Sequence, residues 1–221
     1  MGTTITKRVA ASADDVYSQI SDSSINNGDW SGVVMGDFNG RGCGGLFRFT
    51  GITVPAGVTI DAAKVTLTAY QASSSDVYLR IWGEQSNAAA TFSSWSDYIT
   101  RAKTTAFADW TPTAWNSGTT YDSADIKAII QELVNDYGGL AAANIAIFML
   151  NNSSAWASRR DVKAYQDFPA DAALLSITYT ESTGWANIAK TQGITATDLA
   201  KFKGIAVADI AKVNGVAVIN A

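Results

Sequence analysis

Two stretches decide how this chain folds: Lys64-Val65-Thr66-Leu67-Thr68-Ala69-Tyr70 and, beyond the break Ser73-Ser74-Ser75-Asp76, Val77-Tyr78-Leu79-Arg80-Ile81-Trp82. In both, apolar residues fall at every second position, so each stretch is a strand that buries one face and wets the other. Trp82, ending the second, reads as core. Working outward, the same texture runs from Thr3 to Thr180. Short runs rich in β-branched and aromatic residues cover Thr3 to Ala10, Gly32 to Phe38, Gly45 to Thr50, Asn144 to Leu150, Asp161 to Tyr165 and Leu174 to Tyr179. Clusters of Gly, Ser, Asn and Asp separate them, with further extended pieces expected near Thr91, Thr105 and Trp110. Strands of this length between such frequent turns predict a mainly β protein, a β-sandwich over residues 1–180.

One helix interrupts the strands. Ile126, Ile129, Ile130, Leu133, Val134 and Tyr137 recur with helical spacing, Asp122 and Ser123 are candidate caps, and Gly138-Gly139 stops the run. Lys127 and Glu132 lie off that stripe and read as a solvated face.

From residue 181 the character changes. Asn187-Ile188-Ala189-Lys190, Asp198-Leu199-Ala200-Lys201 and Asp209-Ile210-Ala211-Lys212 start three units in strict register, with Gly193, Gly204 and Gly215 in matching places. Each unit predicts an Asn/Asp cap, about one helical turn, a glycine stop and a short extended piece. Units so small cannot bury their own apolar side chains. Trp185, Ile188, Ile194, Leu199, Phe202, Ile205, Ile210, Val213 and Val216 are therefore the expected contacts of an assembly tail over 181–221, with Lys190, Lys201 and Lys212 in water.

Composition narrows the function. The 221 residues carry no histidine, one cysteine and a net charge of −4. Disulfide frameworks, Ser-His-Asp triads and Cys/His zinc sites are excluded within one chain. The acidic balance gives no basic surface for nucleic acid, and no apolar run is long enough to span a membrane. Glycoside hydrolysis needs carboxylates alone, but Glu84, Glu132 and Glu181 fall on a strand end, the helix and a linker, and no catalytic pair emerges. The chain reads as non-enzymatic, with no catalytic residue. Cys43, between glycines, reads as a small buried side chain, and Gly36 to Gly45 as a glycine-rich connection.

Three runs carry a resemblance: Arg8-Val9-Ala10-Ala11-Ser12-Ala13-Asp14-Asp15, Val54-Pro55-Ala56-Gly57-Val58-Thr59-Ile60, and Trp115-Asn116-Ser117-Gly118-Thr119-Thr120-Tyr121 before the helix. With Trp82-Gly83-Glu84 and the closing Leu175-Ser176-Ile177-Thr178-Tyr179, they resemble jelly-roll sandwiches of the carbohydrate-binding-module type found in phage virion and bacterial surface proteins. The Ile-Ala-Lys-Val-Asn-Gly-Val tail is similar to tails of phage structural proteins. This resemblance implies a capsid decoration or tail/fibre subunit on the virion surface. Such a subunit is made in the host cytoplasm without a signal peptide, and its partners are itself, as a homo-oligomer or polymer, and other virion proteins.

The alternative it implies is a glycan-binding module or adhesin, extracellular or on a cell surface. Trp30, Trp95, Trp115 and Trp156, set among Ser, Asn, Asp and Gly, would then face the sugar. Trp185 to Phe202 also looks like the two-helix centre of a LysM module, which binds peptidoglycan or chitin. Related sandwiches hold a structural calcium after the first strand, which makes Asp14 and Asp15 the candidate metal ligands and leaves no other cofactor expected.

Overall fold

The computed structural model describes residues 2–26, 32–181, 212–213 and 216–217. The chain divides into two compact units, Met1–Glu181 and Ser182–Ala221.

The first unit is a β-sandwich of two antiparallel sheets. Its smaller sheet has the order β1 (Thr3–Arg8), β12 (Leu174–Thr180), β6 (Thr59–Thr68), β9 (Thr120–Asp122). The larger runs β11 (Arg159–Lys163), β4 (Gly32–Gly36), β5 (Cys43–Val54), β10 (Leu140–Asn151), β7 (Leu79–Glu84), β8 (Lys103–Trp110). A hairpin of β2 (Asp15–Gln19) and β3 (Ser24–Asn26) joins it through β5.

The alternation that predicted β6 and β7 is the alternation that builds the core. Val65 and Leu67 of β6 and Leu79 and Ile81 of β7 are fully buried, packed with Phe47 and Phe49 of β5, Ile145 and Ile147 of β10, and Leu175 and Ile177 of β12. A second, smaller cluster lies on the other face of the larger sheet. There Val16, Leu46, Ala146 and Phe148 are covered by Ala89, Phe92 and Tyr98 from the segment between β7 and β8. That segment holds a short helix, α1 (Trp95–Thr100), capped by the Ser94 hydroxyl accepting from the Asp97 N–H.

The amphipathic helix is α2 (Lys127–Asp136), with Ile129, Ile130, Leu133 and Val134 buried. Its start differs from expectation. Neither Asp122 nor Ser123 caps it: Asp122 ends β9, and the Asp125 carboxylate accepts the Lys127 N–H at 2.9 Å and the Ala63 N–H at 3.1 Å. The helix stops as expected at Gly138 and Gly139, whose φ angles of +63° and +99° suit glycine. Glu132 is not on a solvated face, since its carboxylate accepts the N–H groups of Thr105 and Ala106, both at 2.7 Å.

Other expectations also shift. Gly36 to Gly45 is a connection only in its first part, because Cys43, Gly44 and Gly45 open β5. Trp82 is half-buried on the outer face of the larger sheet, not core. In the second unit, β13 (Lys212–Val213) pairs antiparallel with β14 (Val216–Ala217), so Lys212 is extended where a helical turn was expected. The remaining tail positions, Trp185, Ile188, Ile194, Leu199, Phe202, Ile205 and Ile210, lie outside the described residues, as do the side chains of Val213 and Val216.

Candidate functional site

Register brings several chain segments to one end of the larger sheet. Gln19 at the end of β2 and Gly36 at the end of β4 both pair with Cys43 at the start of β5; Arg159 opening β11 pairs with Gly36, and Asn151 closing β10 pairs with Leu79 opening β7. The loops 20–23, 37–42 and 152–158, together with Tyr78, therefore share that end.

Three of the exposed large apolar side chains gather there: Trp156 at 72%, Ile20 at 56% and Tyr78 at 44% of full exposure. A Cβ placed on Gly40 would lie 3.7 Å from the Trp156 ring, and one on Gly42 would lie 3.4 Å from Ile20, so both side chains lie against the β4–β5 turn.

The loop that carries Trp156 is fixed on both sides. The buried Asp37 carboxylate accepts the Gly40 N–H at 2.7 Å and the Ala157 N–H at 2.9 Å through one oxygen, while the Asp37 N–H donates to the Ser158 carbonyl at 2.7 Å. Towards β7, the Ser154 hydroxyl donates to the Tyr78 carbonyl at 3.0 Å and accepts the Tyr78 N–H at 2.9 Å. Ser153 and Ala157 are held at φ of +70° and +60°. Left-handed conformations at non-glycine residues are unfavourable and persist only where their surroundings impose them. An indole this large is thus presented to solvent by a constrained loop. Arg41 and Asp22, 3.4 Å apart, bridge the first two loops and give the apolar surface a charged rim.

A second open surface lies on the outer face of the larger sheet. The row Val16, Leu46, Phe148, Trp82, Phe107 crosses it in register. The first three are covered by the smaller cluster, while Phe107 is 48% exposed. Beside them the Arg80 guanidinium lies 4.2 Å from the Phe107 ring centre and 5.8 Å from that of Trp82, held by two bonds to Asp109 of 2.5 and 2.8 Å. The hydrogen bonds that Arg80 donates, aided by its charge, keep Asp109 below the usual carboxylate range. Ile20, Tyr78, Arg80 and Phe107 carry no sequence motif; only the strand pairing sets the first two at one end of the larger sheet and the last two side by side on its outer face.

Of the tryptophans expected to face a glycan, Trp156 alone among the described ones is widely exposed. Trp95 is half-buried, edge-on to Tyr98 at 5.6 Å. Trp115 is core: 2% exposed, stacked on Tyr121 at 4.9 Å and covered by the buried Arg160 guanidinium. Small polar neighbours marked it as a loop residue, but β-bridging of Ser73 with Trp115 folds that loop over the sheet. Trp30 lies outside the described residues.

The calcium expectation meets a different arrangement. Both Asp14 oxygens accept from Arg48, at 3.0 and 2.8 Å, so a guanidinium holds the charge a cation would take. Asp15 accepts the Tyr165 N–H at 2.7 Å, and burial pushes its carboxyl up to about 7, where it is a poor ligand. Among the described residues no three acidic or thiol side chains gather as a metal site would need. Cys43 is buried, as expected, and burial pushes its thiol up to about 12. Glu84 is tied to Arg101 at 3.0 Å.

Among the described residues, no helix is long and apolar enough to cross a membrane. No protein-family model and no curated protein matches the chain.

Proposed function

We propose that the chain is a non-enzymatic structural subunit of a phage virion, a capsid decoration or tail/fibre component that works by self-association. The observation that carries this reading is Trp156. A constrained loop holding a tryptophan in solvent, with Ile20 and Tyr78 nearby and a charged rim, has the make-up of an interface anchor. Aromatic side chains dominate contact energy, and a fixed loop loses little freedom on binding. The virion assignment rests on the sequence resemblance to phage jelly-roll sandwiches and their repeat tails. The absence of histidine removes the commonest general base, and Cys43 is buried with its thiol raised by that burial, so no activated thiol supports an enzymatic reading.

Trp156→Glu tests the reading. The indole projects outward, so the variant should melt within about 2 °C of the parent, surface changes being worth less than ~0.5 kcal/mol. Its dissociation constant should rise by at least tenfold, about 1.4 kcal/mol, in sedimentation velocity. Unchanged association would remove Trp156 from the contact.

A second reading, glycan binding, is favoured by the Arg80, Trp82, Phe107 and Asp109 surface. Its aromatic faces could stack on a sugar while the fixed guanidinium and carboxylate meet hydroxyl groups. Retention on an insoluble polysaccharide that Phe107→Ala abolishes would support this reading over self-association.

A further inference from the structure

A sheet edge exposes unpaired N–H and C=O groups, and proteins ordinarily blunt such edges with caps, bulges, charges or shortness. Most edges in this sandwich are blunted. Glu132 caps β8, whose pairing with β7 also carries a register shift. β3 and β9 have three residues each. β11 carries Arg159 and Lys163 and is bridged to the other sheet through Ala69 and Val162.

β1 differs. Among the described residues it pairs with β12 alone, through six consecutive partners without a register shift; its residues are exposed apart from the half-buried Ile5, and its two cations, Lys7 and Arg8, are confined to its last two positions, leaving Thr3 to Thr6 uncharged. Thr3, Thr4, Ile5 and Thr6 are all β-branched, a composition suited to strand pairing.

We propose that β1 forms a two-fold contact, pairing antiparallel with β1 of a second copy so that the two smaller sheets become one. This inference rests on the self-association reading and names one surface that performs it.

The faces of β1 fix the register. Ile5 packs on the core, whereas Thr4 shares a 2.8 Å hydrogen bond with Thr178 on the outer face. Thr3, Ile5 and Lys7 thus point inward and Thr4, Thr6 and Arg8 outward. Residues opposite one another in a sheet share a face, so a two-fold axis normal to the sheet must pass through a residue. An axis at Thr4 leaves a short overlap. At Thr6 it sets Lys7 against the second copy's Ile5 and brings the two Lys7 residues within about 7 Å along the strand. At Ile5 it pairs Ile5 with Ile5, Thr4 with Thr6 and Thr3 with Lys7. That register buries the one apolar side chain and separates the lysines by about 13 Å, beyond the ~8 Å screening length of physiological salt. The sequence of β1 is self-complementary about Ile5.

Cysteine cross-linking of the full chain tests this. Opposed Cβ atoms at the axis lie about 4.5–5.5 Å apart, close enough for a disulfide after slight adjustment. Two Thr3 residues would be about 13 Å apart. The native Cys43 is buried and does not compete. In a glutathione redox buffer, Ile5→Cys should convert mostly to a reducible dimer and Thr3→Cys should stay monomeric in denaturing gels. Equal cross-linking at both positions, or at neither, overturns the β1 contact. If the parent protein then still sediments as an oligomer, self-association stands and works through another surface. A monomeric parent without cross-linking overturns both readings.

Discussion

Asp15 sits on the inward face of β2 at 3% exposure with one carboxylate oxygen accepting from Tyr165; the other has no partner among the described residues. A charged carboxylate there would lack half its hydrogen bonds, and burial together with Asp14 beside it favours the protonated form, raising its pKa from 3.8 to about 7. Between those values the unfolded chain releases a proton that the folded chain keeps, so the favourable contribution of neutral Asp15 is complete below pH 3.8 and lost as pH rises to 7. Asp15→Asn keeps an acceptor for Tyr165 and removes the titration. Urea midpoints of variant and parent should coincide near pH 4 and separate up to pH 7, with the variant more stable by at most about 4 kcal/mol. A variant that loses stability relative to the parent as pH rises would show that Asp15 is held charged. Sequence could not foresee this. Asp14-Asp15 after a strand looks like turn or ligand chemistry, and only the folded register reveals that Arg48 takes one carboxylate while the core encloses the other.

Elements were legible where one face met water. β6, β7 and α2 kept their periodicity because each buries a single side. β2 was missed for the opposite reason: all five of its residues are buried, with Val16 in the smaller cluster and Tyr17 in the main core. Asp15, Ser18 and Gln19 interrupt its apolar pattern, so neither alternation nor a hydrophobic run marks it. α1 was not expected either: its six residues are too few to show a helical period, and the Ser94 hydroxyl that caps it lies among loop-forming residues. Glu132 looked like a solvated helix residue, although it seals the β8 edge. Glu132→Ala should leave two N–H groups without their acceptor and lower unfolding stability by roughly 2–4 kcal/mol, whereas Glu132→Gln, which keeps one acceptor oxygen, should lose about half as much. Equal, small effects of both in denaturant titrations would mean that water replaces the carboxylate at that edge.

At the scale of the whole molecule, composition and strand spacing carried the fold class, since two sheets packed over a common core are what alternating strands of this density require. The contact surfaces were harder to read. Trp156 was visible as a loop aromatic, yet its neighbours Ile20 and Tyr78 lie far from it along the chain, on segments that only the strand pairing brings to the same end. Likewise β1 becomes an edge only once β12 takes its single position beside it. Self-association through these surfaces is read most directly from one physical quantity, the mass of the assembled particle. Sedimentation equilibrium of the full chain over micromolar concentrations should give a multiple of the 23.3 kDa subunit mass, falling towards that value on dilution. A mass of 23.3 kDa across the whole range would contradict the account.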